Sequence, residues 1–373
     1  MSWSAVLGQR RVKRILLSAI QSNRLPHAYL FYGNEGVGKD AMAIELARVL
    51  QCEQGGLEAC GMCSACVRMS SLQHSDVRLV FALPVGKGET SDDGPLAKLS
   101  EGDISVIRDQ LKMKADNPYH RLNISRATII KINSIRAVRR ESALTSAGGR
   151  KKVFIISNAD EMGDAAANTL LKTLEEPSHS TLLIVTSAHR DALLPTIVSR
   201  CQNVRFDPLT EEEIRVALIE RKGIEVQRAA VIARLASGSY TRALELIHED
   251  LATLRRDVVS FIKQVLGTNI LATTETIERL AAQRDRDMVV RFLTLMLIWF
   301  RDALVLAHDG NVINLDQLQE LKSFRSKLPG ADIVQVLADI EQAISLVQRN
   351  VYIMLVLLQL TVQLREHILM ERI

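Results

Sequence analysis

The chain has 373 residues, 47% hydrophobic and 24% charged, which at about 150 residues per domain predicts two or three domains with real cores. The 47 Lys and Arg oppose 43 Asp and Glu, and the resulting +4 is too little for a chain that coats nucleic acid unaided. Only 4% of residues are aromatic, which argues against reading single strands mainly by base stacking, and the composition excludes a disordered tail, a collagen-like fibre and a disulfide scaffold.

Residues 1–11 carry no apolar h-region and no small-residue cleavage site. The longest mainly apolar runs, Phe292–Phe300 and Val351–Leu358, fall well short of the roughly 18 residues that span a bilayer. A cytoplasmic chain without a membrane segment is expected. The first predicted strand is Ala28–Tyr32, followed by Gly33-Asn-Glu-Gly36-Val-Gly38-Lys39-Asp40 and a helix over Lys39–Leu50. This is G-x-x-x-x-G-K in a strand-loop-helix setting. Glycines let backbone amides face phosphate oxygens, the helix start adds partial positive charge, and Lys39 reaches the β- and γ-phosphates. The next position should be a Ser or Thr that ligates Mg²⁺, and this chain has Asp40. A carboxylate would hold the metal but would also set a negative charge beside the phosphates.

Cys52, Cys60, Cys63 and Cys66 follow, spaced C-x7-C-x2-C-x2-C within 15 residues. A C-x2-C pair lets two thiolates converge on one tetrahedral ion. In a reducing compartment disulfides are disfavoured, and a closed four-cysteine structural zinc site fits better than a redox C-x-x-C pair. Cys201, standing alone, reads as a small buried hydrophobe.

Further strands are predicted at Val77–Phe81, Ala127–Ile132, Lys152–Ser157, Thr181–Thr186 and Asn203–Phe206, with helices at Asn133–Ser146 and Asp164–Leu174. Alternation of this kind implies a parallel sheet covered on both faces. Leu83 to Ser100, rich in Pro, Gly, Ser and Asp, reads as an inserted polar loop. After the strand at Val153–Ile156 an ATPase would place an acidic pair, but the chain has Ser157-Asn158, with Asp160-Glu161 three residues later. Neither Ser157 nor Asn158 holds a metal as an anion or takes a proton from water. The pattern is that of a nucleotide fold whose hydrolytic chemistry has been dismantled. Beyond Pro208, Thr210 with Glu213 makes a capping-box start, and helices continue to the C-terminus. The fold class is therefore α/β plus all-α: a P-loop domain at 1–207 with the zinc module at 52–66, a small helical domain at 208–250 and a helical domain at 251–373.

Four segments carry a resemblance: Arg24-Leu-Pro-His27-Ala-Tyr-Leu-Phe-Tyr-Gly33, the four-cysteine module, Ala166-Ala-Asn168 through Pro177, and Leu194-Pro-Thr-Ile-Val-Ser199-Arg200-Cys201. Together they resemble the bacterial clamp-loader subunits of the AAA+ class. The resemblance covers roughly residues 5 to 245. It implies an AAA+ domain, a lid, a collar and a subunit arc that loads a sliding clamp onto primer-template DNA. It also implies that Arg200, beside Ser199, acts as an arginine finger in trans on a gamma/tau-like neighbour, with a delta-like subunit as a further partner. Thr186-Ser187 sit at the family's sensor-1 position, and Arg242 at the sensor-2 helix start, with a structural role equally open.

Asp40 and Ser157-Asn158 point to a non-hydrolysing, stator-type subunit holding ATP or ADP weakly or not at all. An ATP-hydrolysing gamma/tau-like motor is the alternative. Arg136, Arg139, Arg140, Arg150, Lys151 and Lys152 read as a solvated face that would line a DNA track only in an assembly.

Overall fold

Short runs of β-branched and aromatic residues form five strands: β1 (Ala28–Tyr32), β2 (Val77–Val80), β3 (Lys152–Ile156), β4 (Thr181–Ser187) and β5 (Gln202–Arg205). All pair in parallel, in the order β2-β3-β4-β1-β5. Every residue of β4 is buried, as expected for a central strand covered on both faces. The computed structural model describes residues 2–144, 149–178, 180–267, 269–282, 285–306 and 312–369.

Helices α1 (Arg10–Gln21), α2 (Lys39–Gln51), α3 (Ser64–Ser70), α4 (Glu101–Asp116), α5 (Ile132–Ser142), α6 (Asp164–Glu175) and α7 (Pro195–Arg200) accompany the sheet. One core joins Leu30, Phe154, Ile156, Leu183 and Val185 of the strands to Ile135, Val138 and Leu170 of α5 and α6. Fully burying each such side chain contributes about 2 kcal/mol. Helix α4, absent from the sequence-based elements, starts where the Ser100 side chain accepts from Asp103 N at 3.1 Å. The predicted helix Asn133–Ser146 ends at Ser142, and its Thr145 and Ser146 lie outside the described residues.

Ala127–Ile132 is not a strand. Ile130 makes a single bridge to Met162, donating its N–H to Glu161 O, and Ile129 O accepts from Leu83 N. The segment lies beyond the ends of β2 and β3, where no neighbour extends far enough to ladder with it.

The chain divides into two compact units, Met1–Ala217 with Ser237–Arg242, and Leu218–Ala236 with Ala243–Ile373. In sequence, helices α8 (Glu211–Lys222) and α10 (Tyr240–Leu246) each contribute residues to both units, and α9 (Val226–Leu235) belongs to the second. The second unit continues with α11 (Leu251–Leu266), α12 (Ile270–Ala282), α13 (Arg286–Leu306), α14 (Leu318–Lys327), α15 (Ile333–Gln348) and α16 (Ile353–Leu369). Its core is built on α13, whose Trp299 and Phe300 pack edge-on against Phe324. Asp302, fully buried there, accepts from Ile313 N, Asn314 N and Asn314 Nδ2, which satisfies a carboxylate that would otherwise be costly to bury. Among the described residues no helix is long and apolar enough to cross a membrane.

Candidate functional site

The phosphate loop leaves the carboxyl end of β1 at the centre of the sheet, where ligands of open α/β sheets bind. Gly33, Gly36 and Gly38 all have positive φ, and Gly38 is the N-cap of α2. At Gly36 a Cβ would meet Ser239 Oγ at 2.0 Å, and at Gly38 one would meet Tyr119 Oη at 2.7 Å. The chain itself therefore packs against the loop. Tyr240 N donates to Gly36 O at 3.0 Å, and the Tyr240 ring meets Tyr119 edge-on at 5.0 Å. Tyr119 is held in turn by Leu7 N, which donates to its hydroxyl at 2.8 Å, and by Thr241, which donates to its carbonyl at 2.7 Å.

Lys39 is buried and turns back on the loop, donating to Gly33 O at 2.7 Å and Asn34 O at 2.6 Å. Burial lowers its pKa against the opposing pull of Asp40, Glu35 and Asp160. Asp40 is engaged at both oxygens. Oδ2 accepts from Lys114 Nζ at 2.8 Å and Ser157 Oγ at 2.7 Å, while Oδ1 accepts from Thr186 Oγ1 at 2.8 Å. Burial pushes the carboxyl up, but the Lys114 ammonium and these hydrogen bonds outweigh it and hold the pKa at about 2. Lys114 also donates to His120 O at 2.8 Å, and Thr186 Oγ1 accepts from Asn158 N at 3.2 Å.

Ser157 follows β3 directly, so the strand end presents a hydroxyl to Asp40 where an acidic pair was expected. Asp160 and Glu161 lie past it in a short 3-10 turn. Burial, and then Asp160, raise the Glu161 pKa. Arg242 donates its backbone N–H to Ser239 Oγ at 3.2 Å at the start of α10. The motif residues Gly33, Gly36, Gly38, Lys39 and Asp40 are brought together with Thr186 and Ser157. Sequence reasoning missed Lys114 and Tyr119. The available signal was Asp40 itself, since an acid in that position, if buried, requires a cation.

The four cysteines converge. Their sulfurs lie within 4.8 Å of one another, and Cys60 Sγ is 3.9 Å from Cys66 Sγ. That spacing is close to the roughly 3.8 Å tetrahedron edge implied by Zn–S bonds of about 2.3 Å. It is far from a disulfide of about 2.05 Å. Backbone N–H groups of Cys60, Cys63 and Cys66 donate to Cys52, Cys60 and Cys63 sulfurs at 3.3–3.4 Å, the environment that favours thiolates. Burial pushes the Cys66 thiol up to about 12, and a bound cation would bring it to thiolate. The donor set fits zinc held by Cys52, Cys60, Cys63 and Cys66, with no protein-free position for catalysis. The module is tied to the N-terminus by Trp3 Nε1, which donates to Leu57 O at 2.8 Å.

Arg200 ends α7, the short helix opened by Pro195. Its Nη2 lies 2.9 Å from Glu175 Oε1 and its Nη1 donates to Thr196 O at 3.2 Å, with 37% of the side chain exposed. Ser199 Oγ donates to the same Thr196 carbonyl at 3.1 Å. Cys201 is buried and burial pushes its thiol up to about 12. Of the basic residues near α5, Arg136 pairs with Asp92 at 2.6 Å, Arg150 donates to Gln51 O and Lys152 to Glu141 O, while Arg139 and Arg140 are exposed.

Residues 8–210 match the family described as DNA polymerase III, delta subunit. The chain is 34% identical over 242 residues to DNA polymerase III subunit delta' of Bacillus subtilis, covering 65% of this chain and 60% of that protein. It is 27% identical over 290 residues to DNA polymerase III subunit gamma/tau of Mycobacterium tuberculosis, covering 75% of this chain and 43% of that protein. The matches thus span less than two thirds of either relative's length. A Thermotoga maritima RuvB structure is similar at TM-score 0.38 and 17% identity, over 69% of this chain and 65% of that one.

Proposed function

The chain belongs to the clamp-loader family of DNA polymerase III delta-type subunits, and on that premise we propose that it is a non-hydrolysing, stator-type subunit of a DNA polymerase III clamp loader. In this reading it helps place a sliding clamp on primer-template DNA and lends Arg200 in trans to the ATP site of a gamma/tau-like neighbour. Its own phosphate loop takes no part in the chemistry.

One observation carries the reading. The group in the metal-ligand position, Asp40, has both oxygens committed to Lys114, Ser157 and Thr186, and the loop lysine is committed to its own loop carbonyls. Magnesium coordination would have to displace these donors from Asp40, so the loop as arranged does not fit a magnesium-nucleotide complex, and no hydrolytic step is assigned to it. Arg200 is the contrasting case. A planar guanidinium spreads positive charge over the oxygens of a departing phosphoryl group, and such fingers accelerate transfer about 10³- to 10⁵-fold. Glu175 and Thr196 occupy one donor on each terminal nitrogen, leaving the remaining N–H groups for a ligand.

Residues 1–207 then form the AAA+ domain, 208–250 the lid and 251–373 the collar that meets the other subunits. Cys52, Cys60, Cys63 and Cys66 hold a structural zinc that cross-links α2 to α3. Gamma/tau-like and delta-like subunits are the partners, in the cytoplasm, and contact with clamp and DNA runs through the assembly. The purified chain is expected to turn over negligible ATP by itself in a phosphate-release assay. Robust turnover would support the gamma/tau-like motor reading instead.

A further inference from the structure

The segment between β2 and α5 contributes two groups to the phosphate-loop region, Lys114 from the last turn of α4 and Tyr119 just beyond it. Lys114 is almost fully buried, its side chain 5% exposed, in a place where an unpaired ammonium would be strongly disfavoured. Its partner Asp40 lies on the first turn of α2, and Asp40 in turn holds Ser157 at the end of β3 and Thr186 near the end of β4. Those three positions are the ones that a bound metal-nucleotide would organise in an active P-loop ATPase. Here a protein-borne ammonium pairs with Asp40 at their junction.

We propose that Lys114 is a positioning residue that serves as a resident cation, holding Asp40, Ser157 and Thr186 in register without any bound ligand. Tyr119 completes the closure. Its hydroxyl stands over Gly38, where the amides at the start of α2 would otherwise face a phosphate, and is fixed there by Leu7 N. The consequence is an α/β unit whose order at the loop is independent of nucleotide. An ammonium is a compact, strongly hydrated point charge, so when it is removed the vacated space beside Asp40 suits a small divalent cation with oxygen ligands.

The inference rests on reading positions 40, 157 and 186 as the metal- and phosphate-facing positions of the family, but not on Arg200. An Arg200→Ala variant that left the partner's turnover intact would remove the trans-acting role and leave the Lys114 result standing.

The test uses the full chain and compares wild type, Lys114→Met and the double variant Asp40→Asn/Lys114→Met by amide hydrogen exchange and thermal melting. Each is measured with no addition, with Mg²⁺ alone and with Mg²⁺-ATP. Wild type should show the same melting temperature in all three conditions. In Lys114→Met, exchange over 33–40, 157–158 and 186–187 should rise roughly tenfold or more, because the largely buried Asp40 loses its ammonium partner and keeps only the Ser157 and Thr186 hydroxyls. Millimolar Mg²⁺ alone should restore much of that protection. The double variant, with both charges gone, should melt near wild type and ignore Mg²⁺. Should Lys114→Met not fold, the double variant decides: a folded, Mg²⁺-insensitive protein supports the resident cation and an unfolded one overturns it. Unchanged exchange in Lys114→Met, lost protection that Mg²⁺ does not restore, or a wild type stabilised by Mg²⁺-ATP would each overturn it as well.

Discussion

The phosphate loop and the Arg200 corner belong to the same α/β unit and dispose of their charge in opposite ways. At the loop, buried Lys114 pairs with largely buried Asp40, and every described contact of Lys39 Nζ is to the loop's own carbonyls. At the corner, Arg200 and Glu175 pair at 2.9 Å with 37% and 48% of their side chains exposed. A buried pair is difficult to open, because breaking it strands a charge at a cost of about 3–5 kcal/mol. An exposed pair contributes about 0–1 kcal/mol and yields easily to a new partner. A ligand arriving at the loop must displace the protein from itself, whereas one arriving at Arg200 meets a side chain already 37% exposed.

The largest expected effect lies at the corner. Replacing Arg200 with Ala should leave the chain's melting temperature within a degree or so, yet lower ATP turnover of a reconstituted complex by about 10³-fold. Full turnover would make Arg200 an ordinary surface residue. The cysteine module extends the comparison, since its thiols are arranged inward around a common point. Metal analysis of the wild type should find one zinc per chain, and Cys63→Ser should abolish it and destabilise the module by on the order of 4 kcal/mol. Trp3 emission would report it through the Leu57 contact, in a Trp299→Phe background.

A smaller effect tests the loop. Asp40 titrates near 2 rather than 3.8, so its contribution is present above pH 4 and is lost as pH falls from about 4 towards 2. The loss should be about 2 kcal/mol. Asp40→Asn should flatten that limb of a pH-melting curve, and an unchanged limb would mean that Lys114 does not hold the carboxylate ionised. The smallest stability change is predicted for Glu175→Gln, under about 1 kcal/mol. Partner turnover should nonetheless fall roughly threefold to tenfold as the guanidinium loses its orientation. Equal losses of turnover and stability would mark Glu175 as merely structural.

How much of this could be read in the chain beforehand differs between the same two regions. The strand at Ala28–Tyr32, the loop at Gly33–Lys39 and the four cysteines follow local rules of periodicity, turn chemistry and ligand spacing and stand where those rules place them, and the strand expected at Lys152–Ser157 ends one residue earlier, at Ile156. Asp40 was visibly out of pattern, but what neutralises it was not visible. Lys114 is 74 positions away in sequence, and Tyr119 meets Leu7 and Gly38 across 112 and 81 positions. Contacts of that range depend on how a long insertion folds back, and a polar loop reading of Leu83–Ser100 says nothing about the helix that follows. Ala127–Ile132 failed for the related reason that β-branched composition makes a strand only where a neighbour extends alongside.

The contrast between a closed loop and an outward arginine is tested most directly by equilibrium binding of Mg²⁺-ATP to the purified full chain, followed by dialysis with labelled nucleotide. The arrangement of Asp40, Lys114 and Lys39 predicts no saturable binding at millimolar nucleotide. One nucleotide bound per chain with micromolar affinity would contradict it.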